Sequence, residues 1–259
     1  MTSSLADLLD EATSHPVAGW DFSWLGERLV TRSLDWSFKS IVEERSRQVP
    51  NLLDMSTGGG EWLAALESRP KVTVATEGWP PNVLVADARL RRLGVSVVWS
   101  EDAPDNADQG DDLRGRLPFR SASFALITNR HASFRAPEVS RVLSVGGTFL
   151  TQQVGSDYRD VYDALGVARP LRRIEWNLGL ATRQIDGAGL RIVRAREGTL
   201  ITVFADVGAF AWYLRAVPWA VPDFTIDGYH AALERLDEQL RRRSPLTTRV
   251  PAFFLEAAK

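Results

Sequence analysis

The stretch Asn51-Leu-Leu-Asp-Met-Ser-Thr-Gly-Gly-Gly60, followed by Glu61-Trp-Leu-Ala-Ala-Leu66, decides the fold of this chain. Leu52 and Leu53 belong to an apolar run of the kind that forms buried parallel strands. Three consecutive glycines then allow a sharp turn and a close approach of the backbone to a ligand. A strand, a glycine turn and a helix in this order predict a nucleotide or nucleoside site at the carboxyl end of a parallel sheet.

The spacing within this stretch separates the possible ligands. The dinucleotide pattern Gly-x-Gly-x-x-Gly would need a glycine where Leu63 stands, and the triphosphate pattern Gly-x-x-x-x-Gly-Lys-Ser/Thr is absent. What remains is an acidic residue followed by small residues at every second position, namely Asp54, Ser56, Gly58 and Gly60. This resembles motif I of the class I S-adenosylmethionine-dependent methyltransferases, acidic-x-Gly-x-Gly-x-Gly, with Ser56 in place of the first glycine. A carboxylate at this point suits a ligand with an ammonium and a sulfonium group and would repel a pyrophosphate.

The segments that follow predict an α/β fold, because strands alternate with helices. The predicted strands after the glycine turn cover residues 71–77, 95–100, 123–129 and 148–154. The resemblance, which is specific over about residues 50–155, implies a Rossmann-like, seven-stranded, mostly parallel sheet with helices on both faces and an antiparallel C-terminal hairpin. We assign that hairpin to residues 190–195 and 199–206, joined at Glu197-Gly198, and expect a last apolar strand at Phe253-Phe254-Leu255.

Three regions are expected within a single compact domain. Residues 1–47 are predicted to be an N-terminal helical cap, residues 48–206 the cofactor-binding methyltransferase core, and residues 207–259 a C-terminal extension. The cap and the extension are both rich in aromatic residues. We therefore expect them to form an apolar lid over the substrate.

The resemblance also implies which residues bind S-adenosylmethionine. Glu77, 19 positions after Gly58, would accept hydrogen bonds from the ribose hydroxyls. Asp102, or alternatively Glu101, would accept the adenine amino group. The full set of predicted cofactor-binding residues is Asp54, Ser56, Thr57, Gly58, Gly60, Glu77, Gly78, Trp79, Glu101, Asp102, Asn129 and Arg130.

His131 follows the fourth predicted strand, where the resemblance places the reacting methyl group. It is our candidate catalytic residue, a general base toward the substrate, with the alternative that it orders the loop or binds the cofactor carboxylate. Arg130 would pair with a carboxylate of the cofactor or substrate, or with Glu138. No cluster of side chains has metal-ligand spacing, so no metal is predicted.

The methyl acceptor is expected to be a small aromatic or heterocyclic molecule, methylated on oxygen, nitrogen or carbon. The predicted substrate-binding residues are Trp20, Trp24, Trp36, Trp212, Tyr213 and Trp219. The alternatives are methylation of ribosomal or transfer RNA and a protein that binds S-adenosylmethionine without catalysis. A net charge of −2 gives no electrostatic reason to expect a nucleic-acid partner. The absence of cysteine, of a basic signal sequence and of a long apolar run predicts a cytoplasmic monomer or homodimer without a membrane partner.

Overall fold

The computed structural model describes residues 3–17, 21–107, 114–170, 174–242 and 245–259. Its α-helices are α1 Leu5–Ser14, α2 Phe38–Ser46, α3 Glu61–Ala64, α4 Pro80–Leu90, α5 Ala136–Val142, α6 Arg159–Leu165, α7 Leu178–Gly187, α8 Val207–Ala216 and α9 His230–Arg242. Short 3₁₀ helices cover Ser23–Arg28 and Arg91–Leu93. The strands are β1 Leu29–Arg32, β2 Asn51–Met55, β3 Val72–Glu77, β4 Ser96–Trp99, β5 Phe124–Arg130, β6 Leu143–Val154, β7 Arg191–Phe204 and β8 Leu246–Ala258.

The chain divides into two compact units, each built from three segments. One unit contains residues 1–34, 156–173 and 199–251, and the other contains residues 35–155, 174–198 and 252–259. The predicted division into a cap, a core and an extension stays a prediction. No helix in the described parts of the chain is long and apolar enough to cross a membrane.

The larger unit is organised around a mostly parallel sheet, which confirms the predicted α/β class. Within this unit the order of hydrogen-bonded strands is β8-β6-β5-β2-β3-β4. The β2–β3, β2–β5, β3–β4 and β5–β6 pairs are all parallel. Because β2 lies between β3 and β5, the carboxyl ends of these three strands meet at one edge of the sheet, and the glycine turn starts there.

The last strand closes this sheet in the antiparallel sense. β8 pairs with β6 from Thr148↔Ala258 to Val154↔Ala252. Phe253, Phe254 and Leu255 are fully buried in β8, so the predicted last apolar strand is confirmed. Phe253 packs against Trp176 with ring centroids 5.6 Å apart, and Trp176 packs against Phe134 at 6.0 Å.

The smaller unit contains α1, β1, α6, α8 and α9. Arg28 bonds to both carboxylate oxygens of Asp206, at 2.7 and 2.9 Å, and the same carboxylate accepts a hydrogen bond from the Ala209 backbone N–H at the start of α8. Asp206 thus caps α8 and ties it to the segment before β1. Trp24 and Phe22 pack on Trp212 with ring centroids 5.4 and 5.5 Å away, and this contact anchors the other side of the helix.

Two expectations about secondary structure were wrong. The N-terminal region is not helical throughout, because Leu29–Arg32 forms β1 and pairs antiparallel with residues 201–204, which adds an eighth strand to the seven predicted. The antiparallel C-terminal part of the sheet is confirmed, but the predicted turn at Glu197-Gly198 is wrong, because β7 runs unbroken from Arg191 to Phe204. Gly198 has no positive φ, so the backbone makes no tight turn there, and the strand next to β7 in the sheet is β8.

Candidate active site at the carboxyl ends of the parallel strands

The glycine turn after β2 has left-handed backbone at alternate positions. Ser56, Gly58 and Gly60 have φ angles of 57°, 65° and 78°. A Cβ atom added to Gly60 would lie 2.8 Å from the Leu90 side chain, so α4 packs directly on the turn. The left-handed residues are the same ones that form the small-residue spacing in the sequence. Glycine is required where both the left-handed backbone and the packing exclude a side chain, as at Gly60.

Glu77 ends β3 and holds the glycine turn through its carboxylate. It accepts hydrogen bonds from the backbone N–H of Gly58 at 2.6 Å and from that of Trp79 at 2.9 Å. The side chain is buried, with 4% exposure, and burial raises the pKa of Glu77 to about 7, with a further upward contribution from the charge of Asp102. The acidic residue predicted to bind ribose therefore reaches the first glycine of the turn.

Asp102 reaches the same turn from the end of β4. Ser56 Oγ donates a 2.5 Å hydrogen bond to Asp102 Oδ1. Gly78 lets Asp102 approach, because a Cβ atom at position 78 would lie 2.9 Å from both the backbone nitrogen and Oδ2 of Asp102. Burial raises the pKa of Asp102. Glu101, the alternative adenine contact, is exposed.

A small cleft opens between these strand ends. It is lined by Met55, Ser56, Thr76, Ser100, Glu101, Asp102, Ala103, Gly115, Leu117, Ser133 and Phe134. The lining combines apolar walls with the carboxylate of Asp102, which suits a flat base bearing an amino group. The cleft is smaller than the ~300–1,000 Å³ typical of sites for whole cofactors, so a larger ligand has to extend beyond it along the glycine turn.

Asp54 and Arg130 form a second polar group beside the turn. Asp54 is buried and accepts a 2.7 Å hydrogen bond from Thr128 Oγ1, its partner in the strand register. Burial raises the pKa of Asp54 to about 6, against the opposing effects of Thr128 and the positive charge of Arg130. The Arg130 guanidinium lies 6.0 Å from the centroid of the Trp62 ring, and among the described residues it makes no ion pair.

The alternative pairing of Arg130 with Glu138 is wrong. Glu138 bonds instead to the Arg141 guanidinium at 2.7 Å and accepts the Leu117 backbone N–H at 2.9 Å. Arg130 is therefore available for a carboxylate of a bound ligand. The sequence alone did not identify Trp62 as a neighbour of Arg130 or Thr128 as a neighbour of Asp54. The register of β2 and β5, which pairs Thr128 with Asp54, could have indicated the second contact.

His131 follows β5 with a left-handed backbone, at φ 60°. Its Nε2 lies 3.0 Å from Gln152 Nε2, and Gln152 Oε1 accepts a 2.9 Å hydrogen bond from the indole N–H of Trp36. Burial lowers the pKa of His131 to about 3, and the charge of Arg130 acts in the same direction. A histidine with this pKa is a weak base at neutral pH.

Asn129, which precedes Arg130 on β5 and was also predicted to bind the cofactor, is fully buried. Its Oδ1 accepts a 2.6 Å hydrogen bond from Gln153 Nε2, whereas its Nδ2 has no hydrogen-bond partner in the described structure. An unsatisfied buried amide of this kind is rare and costly.

The predicted substrate-binding residues fall into both units. Trp24, Trp212, Tyr213 and Trp219 belong to the smaller unit, Trp36 belongs to the larger unit, and Trp20 lies outside the described residues. Trp212 has 2% exposure and is a core residue of its unit, whereas Trp219 is 41% exposed and its indole N–H donates to the Tyr158 hydroxyl at 2.9 Å. No group of three or more potential metal ligands occurs among the described side chains.

Comparison with known proteins identifies the fold. No protein-family profile and no curated protein sequence matches this chain. Among solved structures, it is similar to a "putative methyltransferase" from Bacillus halodurans C-125, with 17% identity and a TM-score of 0.57 over 86% of this chain and 98% of that one. The YcgJ protein of Bacillus subtilis, at 17% identity, gives a TM-score of 0.55 over 85% of this chain and 97% of that one.

A third similar structure is the [4+2]-cyclase SpnF, with 17% identity and a TM-score of 0.50 over 98% of this chain and 92% of that one. At these identities the likeness concerns the fold. The chain has the fold of the class I S-adenosylmethionine-dependent methyltransferases, as the motif around Gly58 predicted.

Proposed function

We propose that this chain binds S-adenosylmethionine at the carboxyl ends of β2, β3 and β4 and transfers its methyl group to a small molecule. The observation that carries the proposal is the pair of carboxylates, the buried Glu77 and the partly buried Asp102, beside a left-handed glycine turn. In the described structure neither forms an ion pair with a lysine or arginine. A ligand for this place therefore has to bring hydroxyl, amino or cationic groups, and a pyrophosphate would be repelled.

The residues present fit this cofactor. Glu77 would accept from the ribose hydroxyls, Asp102 from the adenine amino group, and Asp54 would balance positive charge near the turn. Arg130, which has no ion-pair partner among the described residues, would hold the carboxylate of the methionine part. When bound, the sulfonium group supplies an already activated methyl group, so the protein's task is to align the acceptor and exclude water.

Methylation of RNA is less well supported. Four of the arginines that could form a basic surface near α4 and on α9 are paired with acids, as Arg89–Glu61, Arg91–Asp87, Arg241–Asp237 and Arg242–Glu238, whereas Arg92 has no ion pair among the described residues. These pairs reduce the unpaired positive charge that phosphate binding needs. A small aromatic or heterocyclic acceptor, and a cytoplasmic monomer or homodimer, stay predictions.

A non-methylating use of the same site is the second candidate. The [4+2]-cyclase among the similar structures indicates that this fold also occurs in a protein named for a cyclisation. Both candidates require cofactor binding, so they differ only in whether the methyl group leaves the cofactor.

Calorimetry with S-adenosylhomocysteine tests the binding step. We expect binding by the wild-type protein, and a loss of about tenfold or more for Glu77→Gln and Asp102→Asn, because each change weakens a charge-assisted hydrogen bond. Glu234→Gln, at an exposed acid on α9, is the control. Binding of NAD with no binding of S-adenosylhomocysteine would contradict the proposal.

Incubation of the protein with methyl-labelled S-adenosylmethionine and a metabolite extract tests the transfer step. Label in a small molecule supports methyl transfer. Label in RNA, or tight cofactor binding with no transfer to any fraction, supports the corresponding alternative.

A further inference from the structure

Three side chains from distant parts of the sequence form a hydrogen-bonded chain beside the candidate site. Trp36 precedes α2, Gln152 lies on β6, and His131 follows β5. The Trp36 indole N–H meets Gln152 Oε1 at 2.9 Å, and Gln152 Nε2 meets His131 Nε2 at 3.0 Å. The His131 backbone N–H also donates to the Gln152 carbonyl at 2.8 Å, so the backbones of these two residues are joined as well.

The chemistry of these groups fixes the direction of every bond. An indole nitrogen can only donate, so the amide oxygen of Gln152 has to face Trp36. The amide nitrogen of Gln152 then has to face His131, and an amide nitrogen is also only a donor. His131 Nε2 is therefore the acceptor, and the proton of the neutral ring is on Nδ1.

The same chain opposes protonation of the ring. An imidazolium would place an N–H at Nε2 against the N–H of Gln152, and Gln152 cannot rotate its amide without turning its nitrogen toward the N–H of Trp36. The charge of Arg130, the register partner of Gln152, also disfavours a second positive charge. These effects agree with the depressed pKa of His131.

His131 Nδ1 has no hydrogen-bond partner among the described residues, and the side chain is only partly buried. It stands directly after β5, at the sheet edge where β2 gives way to the glycine turn. The Nδ1–H is thus a fixed donor just after the carboxyl end of β5, and Arg130, whose charge acts on the ring, precedes it in the chain. A donor and a positive charge together suit an oxygen atom that carries negative charge.

We propose that His131 is a permanently neutral donor, not a general base, and that its Nδ1–H binds an anionic oxygen of the methyl acceptor, with Gln152 and Trp36 as positioning residues. The tautomer is independent of the function proposed above, whereas the identity of the bound oxygen rests on it. An acceptor of this kind carries a carboxylate, phenolate or enolate. Its anionic oxygen is either the nucleophile itself, which arrives already deprotonated, or a neighbouring group that holds the nucleophile in place.

Nuclear magnetic resonance of ¹⁵N-histidine-labelled protein tests the tautomer without any ligand. We expect the ring of His131, assigned through His131→Asn, to show a protonated Nδ1 and an unprotonated Nε2 with no titration between pH 5 and 9. Trp36→Phe removes the N–H that fixes Gln152, and Gln152→Glu supplies an acceptor; each variant should bring the titration of His131 back into this range. Trp99→Phe, at an exposed tryptophan, is the control. A wild-type ring that titrates near pH 6, or carries its proton on Nε2, would overturn the proposal.

Two substitutions separate donor from base in the transfer reaction. Asparagine keeps an N–H close to the position of Nδ1 and tolerates the left-handed backbone of residue 131, but it cannot act as a base. Label transfer should therefore survive in His131→Asn within about tenfold and be largely lost in His131→Ala. Equal loss in both variants would support the base and overturn the donor.

The affinity for S-adenosylhomocysteine identifies the ligand that His131 contacts. It should change less than about twofold in His131→Ala, because the contact is assigned to the acceptor. A loss of fivefold or more would assign the Nδ1–H to the cofactor and overturn the acceptor contact. If the wild-type protein binds no S-adenosylhomocysteine, the proposed function and the acceptor contact fail together, and the tautomer is still decided by the spectra.

Discussion

Ser56 occupies a position where the backbone favours glycine, and its side chain gives a reason for the exception. Its φ of 57° is left-handed, which for a residue with a Cβ costs about 1–2 kcal/mol. In return, its hydroxyl donates to the partly buried carboxylate of Asp102 at 2.5 Å. A hydrogen bond to a charged group contributes about 1.5–3 kcal/mol, so the two effects nearly cancel.

A pair of substitutions measures these two effects. Ser56→Ala removes the hydrogen bond and keeps the left-handed cost, whereas Ser56→Gly removes both. We expect urea unfolding to show Ser56→Gly to be more stable than Ser56→Ala by about 1 kcal/mol, and Ser56→Ala to be less stable than wild type by about 1.5–3 kcal/mol. Equal stability of the two variants would mean that residue 56 is not left-handed in solution.

The buried acids make the stability of the ligand-free protein depend on pH. Burial raises the pKa of Glu77 from 4.5 to about 7, so between these values the folded state holds a proton that the unfolded state has released. The contribution of protonated Glu77 to the free energy of unfolding is complete below pH 4.5 and is lost as the pH rises through 7. Asp54, raised from 3.8 to about 6, acts in the same direction at lower pH. We expect the free energy of unfolding to fall between about pH 4.5 and 7, with up to ~1.4 kcal/mol per pH unit from Glu77.

Denaturant unfolding at several pH values measures this slope. Glu77→Gln should flatten the slope, because its side chain has no proton to release, and Glu234→Gln, at an exposed acid on α9, is the control. If Glu77→Gln and the wild type show the same slope, Glu77 is already ionised in the folded protein at pH 5.

At the scale of elements, Glu256 on β8 connects two other elements through a buried charge. It bonds to Arg45 of α2 at 2.5 Å and to Arg194 of β7 at 2.9 Å. The Arg194 guanidinium also lies 5.1 Å from the centroid of the Phe254 ring. One carboxylate with 2% exposure therefore balances two guanidinium groups and joins two elements to the last strand.

Removing this carboxylate leaves two arginines without their partner. We expect Glu256→Ala to lower the free energy of unfolding by about 3–5 kcal/mol, the range found when one member of a buried ion pair is deleted. The triple variant Arg45→Met, Arg194→Met and Glu256→Met should recover most of the lost free energy of unfolding, since no charge remains unpaired. Thermal or urea unfolding measures it. A small effect of Glu256→Ala alone would indicate that water replaces the carboxylate.

The success of sequence-based prediction differed between elements for physical reasons. The parallel strands and the turn at Gly58 were predictable, because buried strands have apolar runs and the turn requires glycines at fixed spacing. β1 was not, since three of its four residues are exposed and only its pairing with β7 makes it a strand. β7 was split at Gly198 because glycine often marks a turn, although here the backbone stays extended.

The candidate site shows the same contrast. The spacing of the local motif identified Glu77 as a site candidate, whereas its hydrogen bond with the Gly58 backbone N–H came only from the structure. The link from Trp36 through Gln152 to His131 joins residues more than 110 positions apart, so no local pattern could indicate it. The sequence identified His131 as a functional candidate, whereas its protonation state depended on neighbours that only the fold brings together.

At the scale of the whole molecule, the larger unit depends on the last residues of the chain. Residues 252–259 belong to it, although residues 199–251, which precede them, belong to the other unit. They pair with β6 over the register from Thr148 to Val154 and bury Phe253, Phe254 and Leu255. Each such side chain contributes about 1.5–3 kcal/mol when fully buried, so together they approach the ~5–15 kcal/mol by which a typical domain is stable.

We therefore expect a chain that ends at Pro251 to lose its cooperative unfolding transition, because β6 would be left without its antiparallel partner and the core would be open. Circular dichroism during urea titration measures this, with a chain lacking only Lys259 as the control for altering the terminus. The control should keep its transition, since it loses only the contacts of Lys259 with Gly146, Gly147, Ser140 and Leu143. A cooperative transition in the shorter chain would mean that the parallel strands and their helices fold without β8. The sheet that carries the glycine turn would then be stable without residues 252–259.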